Sequence, residues 1–247
     1  MVDTPDKNRI PALEPEAILR RLSGALAVQD REHAVSIIID AADAGMALET
    51  LYADVIEPFL VSVGRSWQDG STAVWQEHVA TAAVRTAVEA LYPRIVAHKA
   101  GVPPVPVGIV FACPADETHD LGLRLLSDKF DLRGFRTVFV GASTPPGQIV
   151  EAARATEAGV VCLSVSTHFH RTALRETVAL IESELPGVRV LVGGAAFPSS
   201  CPEWSRHLVG DLVVLLDELA GGGEGRGVPG TPGEADPGTV GGMNEDA

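Results

Sequence analysis

The stretch ADETHDLG, residues 115–122, sets His119 among carboxylates, directly after an apolar run and directly before a helix-like pattern. Three roles are open to such a histidine: capping a helix, acid–base chemistry, or ligation. A catalytic dyad of His119 with Asp120 is disfavoured, because side chains adjacent on one chain rarely face each other. A neutral imidazole is a good ligand for a soft or borderline transition metal. Glu117, two residues away, can accept its other N–H and raise its basicity. A single protein ligand of this kind suits a metal already held by a macrocycle. Two downstream stretches add to that idea. SVST places Ser164 and Ser166, on either side of Val165, at a strand end, where hydroxyls can hydrogen-bond a buried polar ligand. GGAAF places Gly193 and Gly194 at another strand end, where only glycine lets a flat or bulky group approach the backbone. Each pair alone is ordinary, since serines end strands and glycines start turns.

A second group of candidates lies upstream in GRSWQDGSTAVWQEHVAT, where Trp67 is followed by nine residues and then Glu77–His78. Val74, Glu77, His78 and Thr81 fall at i, i+3, i+4 and i+7, hence on one helix face. A Glu–His pair in such a Val/Thr stripe is costly to bury unless it meets a polar partner. The plainer reading is a satisfied pair inside a bundle or a solvated face, with Trp67 in the core.

The elements that must position these residues divide into two kinds. Residues 13–97 read as four helices: Ile18, Leu22, Ala25 and Leu26 form one apolar stripe, and Val35, Ile38, Ile39 and Ala42 another. A third helix is expected over about 47–66, bent at Pro58, and a fourth from an N-cap at Ser71 or Thr72 to about Tyr92, before Pro93. Short connections make these an antiparallel bundle. After the Pro-rich KAGVPPVPV the period changes. Val-rich runs alternate with amphipathic stretches over residues 105–219, which is the pattern of a Rossmann-like (flavodoxin-like) parallel sheet with helices on both faces. DLVVLLDEL fits either a fifth strand or a final helix. Ligands of such folds bind at the carboxyl ends of the strands, where the His119, Ser164 and Gly193 stretches all fall. Residues 221–247, rich in Gly, Pro and acids, are expected to be disordered.

The 247 residues carry a formal charge of −14, of which about −10 belongs to the chain ahead of that tail. Such a field repels phosphate backbones, which argues against direct nucleic-acid binding. Three widely spaced cysteines suit reduced thiols, and no apolar run approaches a membrane span. The expectation is a cytoplasmic protein.

Taken together, residues 105–219 resemble the cobalamin-binding domain shared by methionine synthases, corrinoid carrier proteins and light-sensing cobalamin regulators. That family carries D-x-H-x-x-G, then S-x-L, then G-G at these spacings. The resemblance implies that His119 is the lower axial ligand to cobalt, with Glu117, Thr118, Asp120 and Gly122 around it. It also implies that the displaced nucleotide tail of the cofactor threads past Ser164, Val165, Ser166, Gly193 and Gly194. Glu117 replaces the usual aspartate, and Ser166 stands where leucine is common; glutamate at the first position is familiar in the light-sensing branch. Trp-x9-Glu-His in turn resembles the signature of cobalamin photoreceptors, in which a four-helix cap covers the upper face of the corrin. By that resemblance Trp67 and Val74 pack on the adenosyl group of adenosylcobalamin, and Glu77 and His78 lie near it. Gln68 is a departure, because those regulators carry histidine there. Only about a dozen residues precede the first helix, so no helix-turn-helix reader is expected.

The implied protein is a stand-alone light sensor rather than a turnover enzyme, a homo-oligomer that signals to a protein partner. His168 and His170 leave room for a bilin such as biliverdin. The rival branch, corrinoid methyl carriers, shares the two-part layout but has no need of Trp67 and Glu77–His78.

Overall fold

The computed structural model describes residues 14–197, 201–208 and 212–221. Of the tail expected to be disordered, only Gly221 is among them. The helical part opens with α1 (Pro15–Ala27) and α2 (Arg31–Asp43), the latter capped by Asp30, whose side chain accepts the His33 N–H at 3.0 Å. The expected third helix is continuous from α3 (Leu48–Thr50) through a π-helical stretch, Leu51–Ile56, into α4 (Glu57–Gln68). Pro58 cannot donate to the carbonyl of Asp54, and the ladder takes π spacing just before it.

The fourth helix, α5 (Val74–Lys99), corrects the sequence expectation at both ends. Its N-cap is Ala73, whose N–H is taken by the Gln76 side chain at 3.0 Å. Ser71 and Thr72 instead close the preceding loop on Ser66: the Ser71 hydroxyl and the Thr72 N–H both donate to its carbonyl, at 3.1 and 2.9 Å. Nor does Pro93 end the helix. Leu91 and Ile95 on either side are fully buried, and that packing outweighs one lost hydrogen bond.

The second part is four parallel strands, β1 (Val105–Pro114), β2 (Phe135–Thr144), β3 (Val160–Ser164) and β4 (Arg189–Gly193), in the order β2-β1-β3-β4. Between them run α6 (Leu121–Leu132), α7 (Pro146–Ala155) and α8 (Arg171–Glu184). From Leu212 onward, DLVVLLDEL forms a helix, α9 (Leu212–Gly221), rather than a strand. Strand side chains alternate between two faces. Val110, Ala112, Val161, Leu163, Val190 and Val192 pack with α7 and α8; Ile109, Phe111, Cys113, Val160, Cys162 and Leu191 pack with α6 and α9. Helices therefore cover both faces of a Rossmann-like sheet, as a buried parallel sheet requires.

The element shared by the two parts is α6. Leu123 and Phe130 face the sheet, while Leu121, Leu125 and Leu132 join the core of the helical part. Polar contacts reinforce that seam. The Tyr52 hydroxyl donates to the buried Asp128 at 2.9 Å, with Arg124 Nε 3.1 Å away from the same carboxylate; Lys99 pairs with Asp131 at 2.5 Å and Lys129 with Glu57. Burial pushes the Asp128 carboxyl up to about 6 against the pull of Arg124.

Candidate functional site: a histidine on a saturated carboxylate

The sheet reverses its winding at β1, since β2 lies on one side of it and β3 on the other. Loops leaving β1 and β3 therefore part, opening a crevice at the carboxyl edge. Residues 115–120 leave β1 there, residues 165–170 leave β3, and Gly194 follows β4.

Glu117 is the hub of this edge and is fully buried. Its Oε1 accepts the His119 backbone N–H at 2.9 Å and lies 2.6 Å from His119 Nδ1. Its Oε2 accepts the Ser166 N–H at 2.7 Å and lies 2.9 Å from Nδ1 of His170. Four donors fill the roughly four lone-pair directions of one carboxylate. Burial alone would raise its pKa, but these hydrogen bonds win and hold the carboxyl down at about 2. A carboxylate ionised at neutral pH favours the His119 tautomer with its proton on Nδ1, and in that tautomer Nε2 presents its lone pair. The ring is 64% exposed. Metal-binding histidines commonly make such a hydrogen bond from their other ring nitrogen.

The neighbouring residues take different roles. Asp120, next in sequence, turns away to an ion pair with Arg85 of α5 at 2.5 Å. Thr118 is exposed, and its carbonyl accepts the Asp120 N–H at 3.1 Å. Beneath the loop, the Cys113 thiol lies 3.8 Å from the His119 carbonyl; burial pushes its pKa up to about 12, so it stays protonated.

Beside this lies a cleft of about 390 Å³ lined by Gly122, Leu123, Leu126, Cys162, Leu163, Ser164, Gly193, Gly194 and Leu212, with Glu57 and Lys129 at its edge. The glycines in it are not alike. Gly194 has φ +107°, and a Cβ there would lie 2.2 Å from the carbonyl oxygen of Val165; the fold itself demands glycine. A Cβ on Gly122 or Gly193 would meet nothing within 4 Å. Those two are not required by the packing of the chain, and their absent side chains widen the cleft. Val165 is buried and contributes backbone only: its N–H donates to Gly193 and its carbonyl accepts from Ala196.

The upstream candidates lie on the helical part, at the end of α4 and the start of α5. The tight loop after α4 brings the chain back so that Trp67 ends one helix and Val74 begins the next. Trp67, expected in the core on the plainer reading, is 49% exposed, and Val74 54%. Exposed Gln68 adjoins them. Glu77 is bonded by the Thr81 hydroxyl at 2.7 Å and lies 3.4 Å from His78 Nε2. Glu77, Thr81 and Arg85 are spaced by four, along one ridge of α5. That ridge ends at Asp120, beside His119, about 12 Å along the helix from Glu77.

Sequence reasoning missed the contact of His170, which it noted only, with His168, as leaving room for a bilin; its ring lies 2.9 Å from Glu117. Fifty-three residues separate the pair, and no local pattern announces it.

A metal with its own planar ligands fits these residues: an imidazole nitrogen with no hydrogen-bond partner among the described residues, a ridge of α5 that ends at Asp120 beside it, and a cleft that Gly122 and Gly193 keep free. Two family descriptions, both of the B12 binding domain, match residues 107–219 and 18–92. The chain belongs to the B12-binding family. It binds a corrinoid.

Among proteins of known role, it is 28% identical over 165 residues to the HTH-type transcriptional repressor CarH of Myxococcus xanthus, a match covering 66% of this chain and 52% of CarH. It is 26% identical over 195 residues to CarA of the same organism, covering 76% and 62%. The chain thus spans between half and two thirds of the length of these relatives. Its fold superposes with a TM-score of 0.69 on the monomethylamine corrinoid protein of Methanosarcina barkeri, at 18% identity, covering 84% of this chain and 98% of the other. That likeness is one of fold. Among the described residues no helix is long and apolar enough to cross a membrane.

Proposed function

We propose that this B12-binding protein is a light sensor that carries adenosylcobalamin, with His119 as the lower ligand and the Trp67–Val74–Glu77–His78 face against the upper one. The observation that carries the reading is the α5 ridge. It leads from an exposed apolar and Glu–His surface down to the ion pair beside His119, so one helix face addresses both sides of a ligand at this edge. The regulatory names of the two Myxococcus relatives support the same choice.

The bound cofactor supplies a cobalt–carbon bond that visible light can break. The chain supplies the rest. Glu117 fixes the tautomer of His119, Gly122 and Gly193 leave space for the nucleotide tail, and Trp67 and Val74 offer an apolar surface to an adenosyl group. Loss of that group removes the partner of an exposed tryptophan and valine, which changes what the surface can bind. The output is a change in self-assembly or in binding to a protein partner, without catalytic turnover. For a bilin as second chromophore the exposed candidate contact is His168, whose ring is tilted 36° against that of Phe169 with centroids 4.0 Å apart.

The test is the absorbance of the adenosylcobalamin-loaded protein, with its mass in solution, before and after green light. A spectral change coupled to altered assembly or partner binding supports the sensor. A protein whose assembly and partner binding ignore light, and which passes a methyl group between enzymes, would be a methyl carrier instead.

A further inference from the structure

The seam between α6 and the helical part is apolar at Leu121, Leu125 and Leu132, yet it encloses the carboxyl group of Asp128, a residue only 1% exposed. We propose that this seam is a proton-sensitive latch: protonation of Asp128 tightens the hold of the helical part on α6, and ionisation loosens it. The latch needs no cofactor.

The carboxylate is poorly supplied with donors. The Tyr52 hydroxyl donates to Oδ2 at 2.9 Å. Arg124 Nε lies 3.1 Å from Oδ1, but among the described residues neither atom makes an aligned hydrogen bond, so charge alone joins them. Arg124 is also drawn elsewhere. Its guanidinium carbon lies 4.7 Å from the centre of the Tyr92 ring and 5.4 Å from that of Phe139, and its Nη2 is 3.8 Å from Glu89. Other charges flank the site from each packed element. The π-helical stretch Leu51–Ile56 brings Tyr52, α5 brings Glu89 and Lys99, and α4 brings Glu57. On α6 itself Asp131 lies three residues beyond Asp128 and adds negative charge. Lys99 pairs with Asp131 and Lys129 with Glu57, so both cations are engaged by other carboxylates.

A buried ion whose lone pairs are only partly met costs more than its single ion pair returns. Burial accordingly lifts the carboxyl from 3.8 to about 6, with Arg124 and the Tyr52 hydroxyl opposing the rise and Asp131 adding to it. When the seam opens, Asp128 meets water and its ordinary acidity returns. The closed seam therefore binds the extra proton between those two values. Stabilisation by that proton is complete below about pH 3.8 and is lost as pH rises through about 6. Between about pH 5 and 7.5 the closed-to-open ratio should fall about tenfold. Glu117 acts in the opposite sense, but mainly below about pH 4.5, outside this window.

The experiment is amide hydrogen exchange of the full-chain apoprotein at about pH 5 and 7.5, corrected for the intrinsic pH dependence of exchange, with 13C NMR of the Asp128 carboxyl assigned through its own Cβ. That carboxyl should titrate near pH 6. Amides of Leu51–Ile56 and α5 should be about tenfold better protected at the lower pH, and those of β1 and β3 should change less. D128N keeps the shape without the charge, so its seam should be protected at both pH values. Y52F removes a donor that favours the ionised form, so the titration and the protection change should both move to higher pH. The proposal is overturned if the carboxyl titrates near pH 4, if D128N responds to pH as the wild type does, or if all strongly protected amides change together. A protection change that does not follow the carboxyl in Y52F overturns it equally, and this arm decides the matter should D128N fail to fold.

Discussion

Arg85 on α5 and Asp120 at the head of α6 lie 2.5 Å apart, and through them the helical part holds the residue next to His119. Arg85 is the lower end of the ridge that begins with Val74 and Glu77. The pair is partly exposed, so its contribution to stability should be modest, no more than about 1 kcal/mol. Its contribution to ligand geometry should be larger. We expect R85A to shift urea unfolding little while weakening adenosylcobalamin binding several-fold, and R85A/D120A to cost less than the two single losses added. Additive losses in titrations of the four proteins would make the pair incidental.

The glycines of the cleft separate fold from ligand. G194A puts a Cβ 2.2 Å from the Val165 carbonyl at a positive φ, so it should destabilise the apoprotein by about 2 kcal/mol or more. G122A should do the opposite. The position lies in the first turn of α6 with nothing within 4 Å of the new methyl, and alanine in a helix is favoured over glycine by up to about 1 kcal/mol. G122A is therefore expected to hold or raise apoprotein stability while reducing cobalamin affinity. A G122A protein that binds as tightly as the wild type would show that the cofactor does not use this part of the cleft.

Much of this arrangement was legible because it is periodic or local. Strand alternation, with Ile109 on one face of β1 and Val110 on the other, is a two-residue signal, and the Val-rich runs became β1 to β4 in place. Glu117 and His119 are two residues apart, so their pairing could be read directly. The π-helical stretch before Pro58, the passage of α5 through Pro93 and the helical state of residues 212–221 were not legible, since each depends on what packs against the segment. So does the grip of His170 on Glu117. Contacts across 53 residues, or the 76 between Tyr52 and Asp128, leave no period in a single sequence.

Glu117 gives the fold an acid limit. Its carboxyl sits at about 2 in the folded chain against 4.5 ordinarily, so between those values the unfolded chain binds the extra proton. Stability from this group is complete above about pH 4.5 and is lost as pH falls toward 2, in total on the order of 3 kcal/mol. E117Q should abolish that part of the slope. It should also be less stable at pH 7, because an amide offers its NH2 where either the His119 or the Ser166 donors stand. Urea melts of both proteins at about pH 7, 5, 4 and 3 measure this; parallel pH profiles would mean that folding does not lower the pKa of Glu117.

Trp67 decides which face of the ligand the helical part reads. Its ring is half exposed at the end of α4, and it is not part of the buried core. Removing a half-exposed side chain that supports no core should barely change apoprotein stability, so W67A is a test of binding with little confounding from folding. A cobalamin with an adenosyl group offers this surface a large, flat, partly apolar partner; one with water or hydroxide in its place offers nothing of that size. W67A should accordingly weaken adenosylcobalamin binding by about tenfold or more, corresponding to roughly 1.4 kcal/mol of lost contact, and leave hydroxocobalamin within about twofold. The difference between the two ligands is the informative quantity, because general damage to the protein would lower both. Equal losses would place Trp67 outside the upper-ligand site, and the light-sensing proposal would lose the residue on which its adenosyl specificity depends.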